Sequence, residues 1–178
     1  IFRENEIHIV YHLASSSVPS SRVDVRLDFE TELFPTMILL EQMVKNDVYR
    51  IVYISSSGAV YGVSSARHAE SDETFPISSY GVIKVAIEKY LFMYAHQHAI
   101  LPLVVRLSNP YGPYHRKSLQ GFVNVALRAA LCGNSVQIWG DGNNKKDYIF
   151  VNEAVNSILD LVEVEAWGEI VNIGSGNE

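Results

Sequence analysis

An α/β fold built on a doubly wound, mainly parallel sheet is predicted by three features of this sequence. Short β-branched and aromatic runs alternate along the chain with longer segments whose apolar residues recur at helical period, the pattern of βαβ units. The run Arg50-Ile-Val-Tyr-Ile-Ser55 is almost continuously apolar, as a buried strand would be, and it ends in hydroxyls and glycine. With 178 residues, 48% of them hydrophobic, the chain has enough apolar content for one substantial core and a small satellite.

Taken in order, residues 7–13 read as a strand, 24–46 as a helix, 50–55 as a strand, 79–97 as a helix and 102–107 as a strand. Residues 118–132 follow as a helix, 136–139 as a strand, 152–163 as a helix and 169–173 as a strand. In the helix at 79–97, Ile83, Ala86, Ile87, Tyr90, Leu91 and Tyr94 form one apolar stripe, and Lys84 and Glu88 lie off it. Ser78 or Ser79 is placed to cap its N-terminus. Gly140 to Asn144 reads as a turn, and no internal repeat or low-complexity tract interrupts the pattern.

Composition narrows the function. The net charge of −6 disfavours nucleic acid or an anionic membrane as a general partner, because those need a basic face. The single cysteine, Cys132, excludes an internal disulfide framework and suits a reducing compartment; it is expected to pack in its helix. No stretch has the apolar length of a membrane span or the pattern of a signal peptide, so a cytoplasmic location is expected. His96 and His98 are two apart and point to different helix sides, and the six histidines show no metal-binding spacing.

The run Ser78-Ser79-Tyr80-Gly-Val-Ile-Lys84 carries the chemistry. Residues four apart share a helix face, so the Tyr80 phenol and the Lys84 ammonium can converge on one ligand. A free tyrosine titrates near pH 10, and bringing it about 3 units toward neutrality takes roughly 4 kcal/mol of added phenolate stabilisation. A neighbouring ammonium has the right sign for that. Ser55, Ser56 and Ser57 would stand at the carboxyl end of the strand at 50–55, where open parallel sheets bind their ligands.

Together with these serines, the Tyr-x-x-x-Lys helix resembles the extended short-chain dehydrogenase/reductase family, the nucleotide-sugar epimerases and dehydratases. Further landmarks occur in the same order: Ile9-Val-Tyr-His12-Leu13-Ala14-Ser15, Glu30-Thr31 through Thr36 to Glu41, Arg106-Leu-Ser108-Asn109-Pro-Tyr111-Gly112-Pro113, Gly140-Asp141-Gly142 with Lys146-Asp147-Tyr148, and Asn172-Ile173-Gly174. The resemblance implies a partial Rossmann-like sheet that lacks its first strands, with part of a small substrate-binding domain. Residues 1–113 would be the later part of the NAD-binding domain, and 114–178 would mix substrate-binding segments with the last sheet strands.

The same resemblance implies Ser57, Tyr80 and Lys84 as the catalytic group. Leu13, Ala14, Ser15, Thr31, Ser55, Tyr80, Lys84 and Ser108 would contact the cofactor, and Ser57, Asn109 and Lys146 the substrate. The cofactor implied is NAD, with NADP not excluded, and the substrate a nucleotide-diphosphate sugar. Family dehydratases carry Asp-Glu directly after the catalytic hydroxyl. This chain has Gly58 and Ala59, whose side chains can neither donate nor accept a proton, which disfavours dehydration and leaves epimerisation or simple reduction; the serine run and Pro76-Ile-Ser-Ser-Tyr80-Gly resemble nucleotide-sugar 4-epimerases. A nucleotide-sugar reductase or dehydratase, or a catalytically silent fragment acting in binding or assembly, are the alternatives.

Two motifs depart from the family pattern, at three positions. Glu32 and Pro35 replace its usual Asn and Gly in Asn-x-x-Gly-Thr, and proline removes a helical hydrogen bond. Lys146 replaces a diphosphate-binding arginine and brings charge without the bidentate fork; Lys145 or Arg116 could compensate. The glycine-rich turn of the family's first strand is not in the sequence, so an incomplete chain is expected. A homodimer is implied, formed through the helix before Ser57 and the Tyr-Lys helix, or through an open edge at residues 8–13.

Overall fold

A computed structural model describes residues 2, 4–15, 25–63, 67–115, 121–138 and 141–177. In chain order its elements are β1 (Ile9–His12), α1 (Val25–Asp28), a π-helical turn (Phe29–Leu33), α2 (Phe34–Lys45), β2 (Arg50–Ser56), α3 (Ser57–Val60) and α4 (Ser79–His98). There follow β3 (Leu101–Leu107), β4 (Asn109–Tyr111), α5 (Phe122–Leu131), β5 (Tyr148–Phe150), α6 (Val151–Glu163) and β6 (Ile170–Ile173). The main sheet has the order β1-β2-β3-β6 with every pair parallel, and β4 and β5 form a separate parallel pair.

Side chains alternate across a strand, and the two cores follow that parity. On one face Ile51, Tyr53 and Val104 meet Leu40 and Met43 of α2 and Ile83, Ile87 and Leu91 of α4. On the other face Val52, Leu103 and Val105 meet Ala154 of α6, with Ile158 and Leu161 packed behind it. The sheet is therefore covered on both faces, as a parallel sheet requires. Parity also carries Ser55 and Arg106, register partners on β2 and β3, to the α4 side.

Proline explains the break in the first long helix. Pro35 has no N–H, and its ring would crowd the carbonyl four residues back. The chain widens by one residue just before it: the Phe34 N–H reaches back to Phe29 O, five residues earlier. The helix expected at 24–46 is thus one helical segment with a π turn inside it, residue 24 lying outside the described residues.

The structure corrects several expectations. Lys84 and Glu88 lie off the apolar stripe of α4 and are nonetheless buried, because each meets an opposite charge in the core. Residues 136–138 are irregular, residue 139 lies outside the described residues, and among the described residues no strand is there to pair with them. β4 and β5 are too short for an alternation to register in sequence. Cys132 is exposed at the C-terminal end of α5 instead of packed. Among the described residues, no helix is long and apolar enough to cross a membrane.

Candidate active site

Tyr80 is the second residue of α4. Ser78 stands just before that helix and accepts a hydrogen bond from Gly81 N at 3.1 Å, one of the donors a helix N-terminus leaves without an internal partner. Gly81 brings α3 close: a Cβ there would lie 2.4 Å from Ala59 O and 2.9 Å from Pro76 Cβ. This contact sets the Ser56-Ser57 corner, where β2 turns into α3, beside Tyr80. Ser15 and Ser56 are in hydrogen-bonding contact with the Tyr80 hydroxyl, whereas Ser57 faces a neighbouring cavity.

One turn further along α4, Lys84 Nζ lies 3.1 Å from Glu32 Oε2, and the two side chains are 2% and 1% exposed. The ammonium also donates to Ile54 O at 3.4 Å and sits 5.2 and 5.3 Å from the ring centres of Tyr53 and Tyr80. Glu32 belongs to the π turn, and its Oε1 accepts from Ser15 Oγ at 3.1 Å. Its carbonyl accepts from Thr36 Oγ1 at 2.6 Å. Thr36 Oγ1 has given its one proton to that carbonyl, so it accepts from His12 Nε2 at 2.8 Å.

Burial pushes the Tyr80 phenol above its ordinary value. Glu32 and Asp28 add to the rise, and the Ser15 and Ser56 hydrogen bonds oppose it. Burial holds Lys84 below the ordinary lysine value against the raising effect of Glu32 and Glu88. The sequence suggested a phenol lowered by a free ammonium. The structure has the ammonium in contact with a carboxylate and the phenol raised.

A second buried network stands behind this cluster. Glu88 accepts from Ser55 Oγ at 2.5 Å on Oε1, from Arg106 Nε at 3.2 Å on the same oxygen, and from Arg106 Nη2 at 2.7 Å on Oε2. Arg106 Nη1 donates to Tyr61 Oη at 2.8 Å, and Tyr61 donates to Asn172 Oδ1 at 2.8 Å. One forked guanidinium therefore ties α4, β2, β3 and β6 together at the carboxyl ends of the strands.

Over those ends opens a cavity of about 380 Å³ lined by Ser57, Gly58, Ser108, Asn109, Asn172 and Gly174, with Arg67, Lys145 and Lys146 at its wall. Asn109 and Lys146 also line an adjoining cavity of about 320 Å³ beside Tyr111 and Phe122. Asp147 fixes one wall by accepting from Ser175 N and Oγ at 2.9 and 2.7 Å and from Gly176 N at 3.1 Å. Three cations beside neutral amides and hydroxyls suit an anionic, hydroxyl-rich ligand.

Comparison with known proteins gives the family. The NAD-dependent epimerase/dehydratase family matches residues 1–174. The chain belongs to that family. It is 31% identical to the dTDP-4-dehydro-6-deoxyglucose reductase of Escherichia coli, over 99% of this chain and 56% of that one. Among solved structures it resembles the UDP-glucose 4-epimerase of Thermotoga maritima with UDP-glucose, at a TM-score of 0.90 and 31% identity over 99% of this chain and 58% of that one. It also resembles the UDP-glucose 4-epimerase of Thermus thermophilus in complex with NAD, at a TM-score of 0.88 and 29% identity over 99% and 59%. The chain thus spans somewhat more than half the length of these relatives.

In this epimerase/dehydratase chain, the residues singled out from sequence fall into three groups. Tyr80, Lys84 and Ser15 meet around the buried Lys84–Glu32 pair, and Ser57, Ser108, Asn109 and Lys146 meet around the cavity. Leu13 and Ala14 are exposed at the end of β1 and do not pack in the core. Two lie elsewhere: Ser55 is buried with its hydroxyl given to Glu88, and Thr31 is exposed with its hydroxyl returned to Leu27 O. Arg116 lies outside the described residues. Sequence reasoning gave Ser56 no part in the proton-transfer group and missed Glu88 and Arg67. The Arg106 motif pointed to a buried guanidinium that needs a carboxylate, and that was the available signal for Glu88.

Proposed function

We propose that the whole protein is an NAD-dependent nucleotide-sugar 4-epimerase. The observation that carries this is Gly58 at the cavity wall directly after Ser57, where an added Cβ would meet nothing within 4 Å. The place of the first of a dehydratase's two acids is open space and Ala59 brings only a methyl to the second, so what remains needs one proton and one hydride at a single carbinol.

The residues present fit the nicotinamide end of the cofactor. Leu13 and Ala14 leave an open apolar face at the end of β1, and Lys84 keeps an N–H beyond those directed at Glu32 and Ile54 O. When bound, NAD would accept and return a hydride at the sugar carbon. Tyr80 would take the proton of the 4-hydroxyl and give it back after the sugar turns over. Ser57 would orient that hydroxyl, and Arg67, Lys145 and Lys146 would hold the diphosphate.

The test uses the full-length protein with NAD and UDP-glucose or UDP-galactose, followed by NMR. Interconversion of the two sugars without net nicotinamide turnover is expected. Net consumption of a reduced nicotinamide with a keto sugar, and no interconversion, would replace the epimerase by a reductase.

The chain is also expected to dimerise. Phe34 and Ile38 on α2 and Val82, Tyr90 and Met93 on α4 are exposed apolar residues on the two helices through which the family associates. Light scattering at low micromolar concentration checks this, and a monodisperse monomer refutes it. Met93→Arg should yield a monomer if the helices form the interface, and Val10→Arg if the open edge of β1 does. Ile87 is unsuitable for this test because it is 1% exposed and belongs to the core.

A further inference from the structure

Glu32 is the residue for which neither the family resemblance nor the proposed reaction gives a role. The family pattern has a neutral Asn at its position. Here a carboxylate takes that place, enters through a π turn, and has both oxygens engaged: Oε1 by Ser15 and Oε2 by Lys84. Its backbone is held as well, through Thr36 and, behind it, His12. A carboxylate this buried is retained only with a cation and hydrogen bonds around it.

We propose that Glu32 is a positioning residue, one that holds the Lys84 ammonium through a buried ion pair and so governs how much of its charge reaches the Tyr80 hydroxyl. The proposal rests on Tyr80 and Lys84 being the proton-transfer pair. The carboxylate oxygen is in direct contact with the ammonium at 3.1 Å, whereas Lys84 meets Tyr80 over its ring, 5.3 Å from the ring centre, so the carboxylate offsets part of the positive field that would stabilise a phenolate. A like charge nearby also disfavours the phenolate directly.

The other groups facing the pair do not replace Glu32. Glu88, one turn along α4, is taken up by Arg106 of β3 and Ser55 of β2. His12 of β1 bonds Thr36, and its imidazole is held below its ordinary value, first by burial and then by Lys84. Tyr53 of β2 is kept a phenol by burial. Asp28 of α1 acts on Tyr80 in the same sense as Glu32, more weakly. The consequence is a phenol biased toward its protonated form in the free chain, so that the hold of Glu32 on Lys84 sets how readily Tyr80 takes the 4-hydroxyl proton.

The experiment needs neither substrate nor cofactor. Tyrosinate absorbance of the 178-residue chain is titrated with pH, and the same curve for Tyr80→Phe is subtracted, which isolates one of ten tyrosines. The wild-type midpoint is expected above 10, and in Glu32→Gln it should fall by about 1–2 units. Glu32→Asp, which keeps the charge, should stay within about half a unit of wild type, an outcome that a merely structural role for Glu32 does not predict. A wild-type midpoint near neutrality overturns the proposal even if neither Glu32 variant folds, and so does an unchanged midpoint in a folded Glu32→Gln. If these shifts appear while Tyr80→Phe leaves sugar turnover intact, the electrostatic role stands and the catalytic assignment of Tyr80 fails.

Discussion

Replacing Glu88 by alanine is expected to destabilise this chain by about 3–5 kcal/mol, the usual cost of removing one partner of a buried ion pair. Its two oxygens accept three hydrogen bonds, two from Arg106 and one from Ser55, and the paired side chains of Arg106 and Glu88 are 4% and 2% exposed. Without the carboxylate, Arg106 Nε and Nη2 and the Ser55 hydroxyl stay buried and lose the acceptor they have, each a desolvation penalty. Set against a typical domain stability of about 5–15 kcal/mol, this is about a fifth of the total or more. With a urea dependence of about 2 kcal/mol per molar, the unfolding midpoint should drop by about 1.5–2.5 M. The double variant Glu88→Leu with Arg106→Met should recover much of the loss, because an apolar pair of similar volume leaves no buried charge. A midpoint for Glu88→Ala within about 0.3 M of wild type would show that the pair holds nothing together.

Tyr80→Phe should cost the full-length protein about 10²–10⁴ in kcat with little change in KM. That range corresponds to about 2.7–5.5 kcal/mol of transition-state stabilisation. Only one oxygen is removed, and its hydrogen-bonding neighbours Ser15 and Ser56 keep other roles: Ser15 still donates to Glu32, and Ser56 still ends β2. Circular dichroism and the urea midpoint should therefore stay near wild type, which separates loss of chemistry from loss of fold. Turnover within tenfold of wild type would remove Tyr80 from the proton transfer. Ser57→Ala should cost less, because a hydroxyl that orients the substrate is partly replaced by water.

Much of the architecture was legible because it rests on short-range pattern. The continuous apolar run at 50–55 marked β2, and the stripe from Ile83 to Tyr94 marked α4. What escaped was shorter or less periodic. β4 and β5 have three residues each, too few for an alternation. The valine and isoleucine around 136–138 look like a strand but have no neighbouring strand to bond among the described residues. Apolar periodicity also misjudged Lys84 and Glu88, since counting hydrophobic positions sends every charge to solvent unless its partner is known.

The site divides in the same way. Ser55 and Arg106 share a face because the register of β2 on β3 pairs them, which only the structure decided, whereas Tyr80 and Lys84 meet because four residues nearly complete a helical turn, which sequence alone determined. Pro35 likewise announced a disturbed helix from its missing N–H. Which carboxylate reaches Lys84 was decided only in three dimensions, where α4 packs beside the π turn and brings Glu32 to 3.1 Å across 52 positions of chain. The division between Ser56, turned to the phenol, and Ser57, turned to the cavity, depends on α3 closing onto Gly81. The physical reason is range: helical period and strand parity act over a few residues, whereas a buried charge takes as partner whatever the packing of distant elements places within contact.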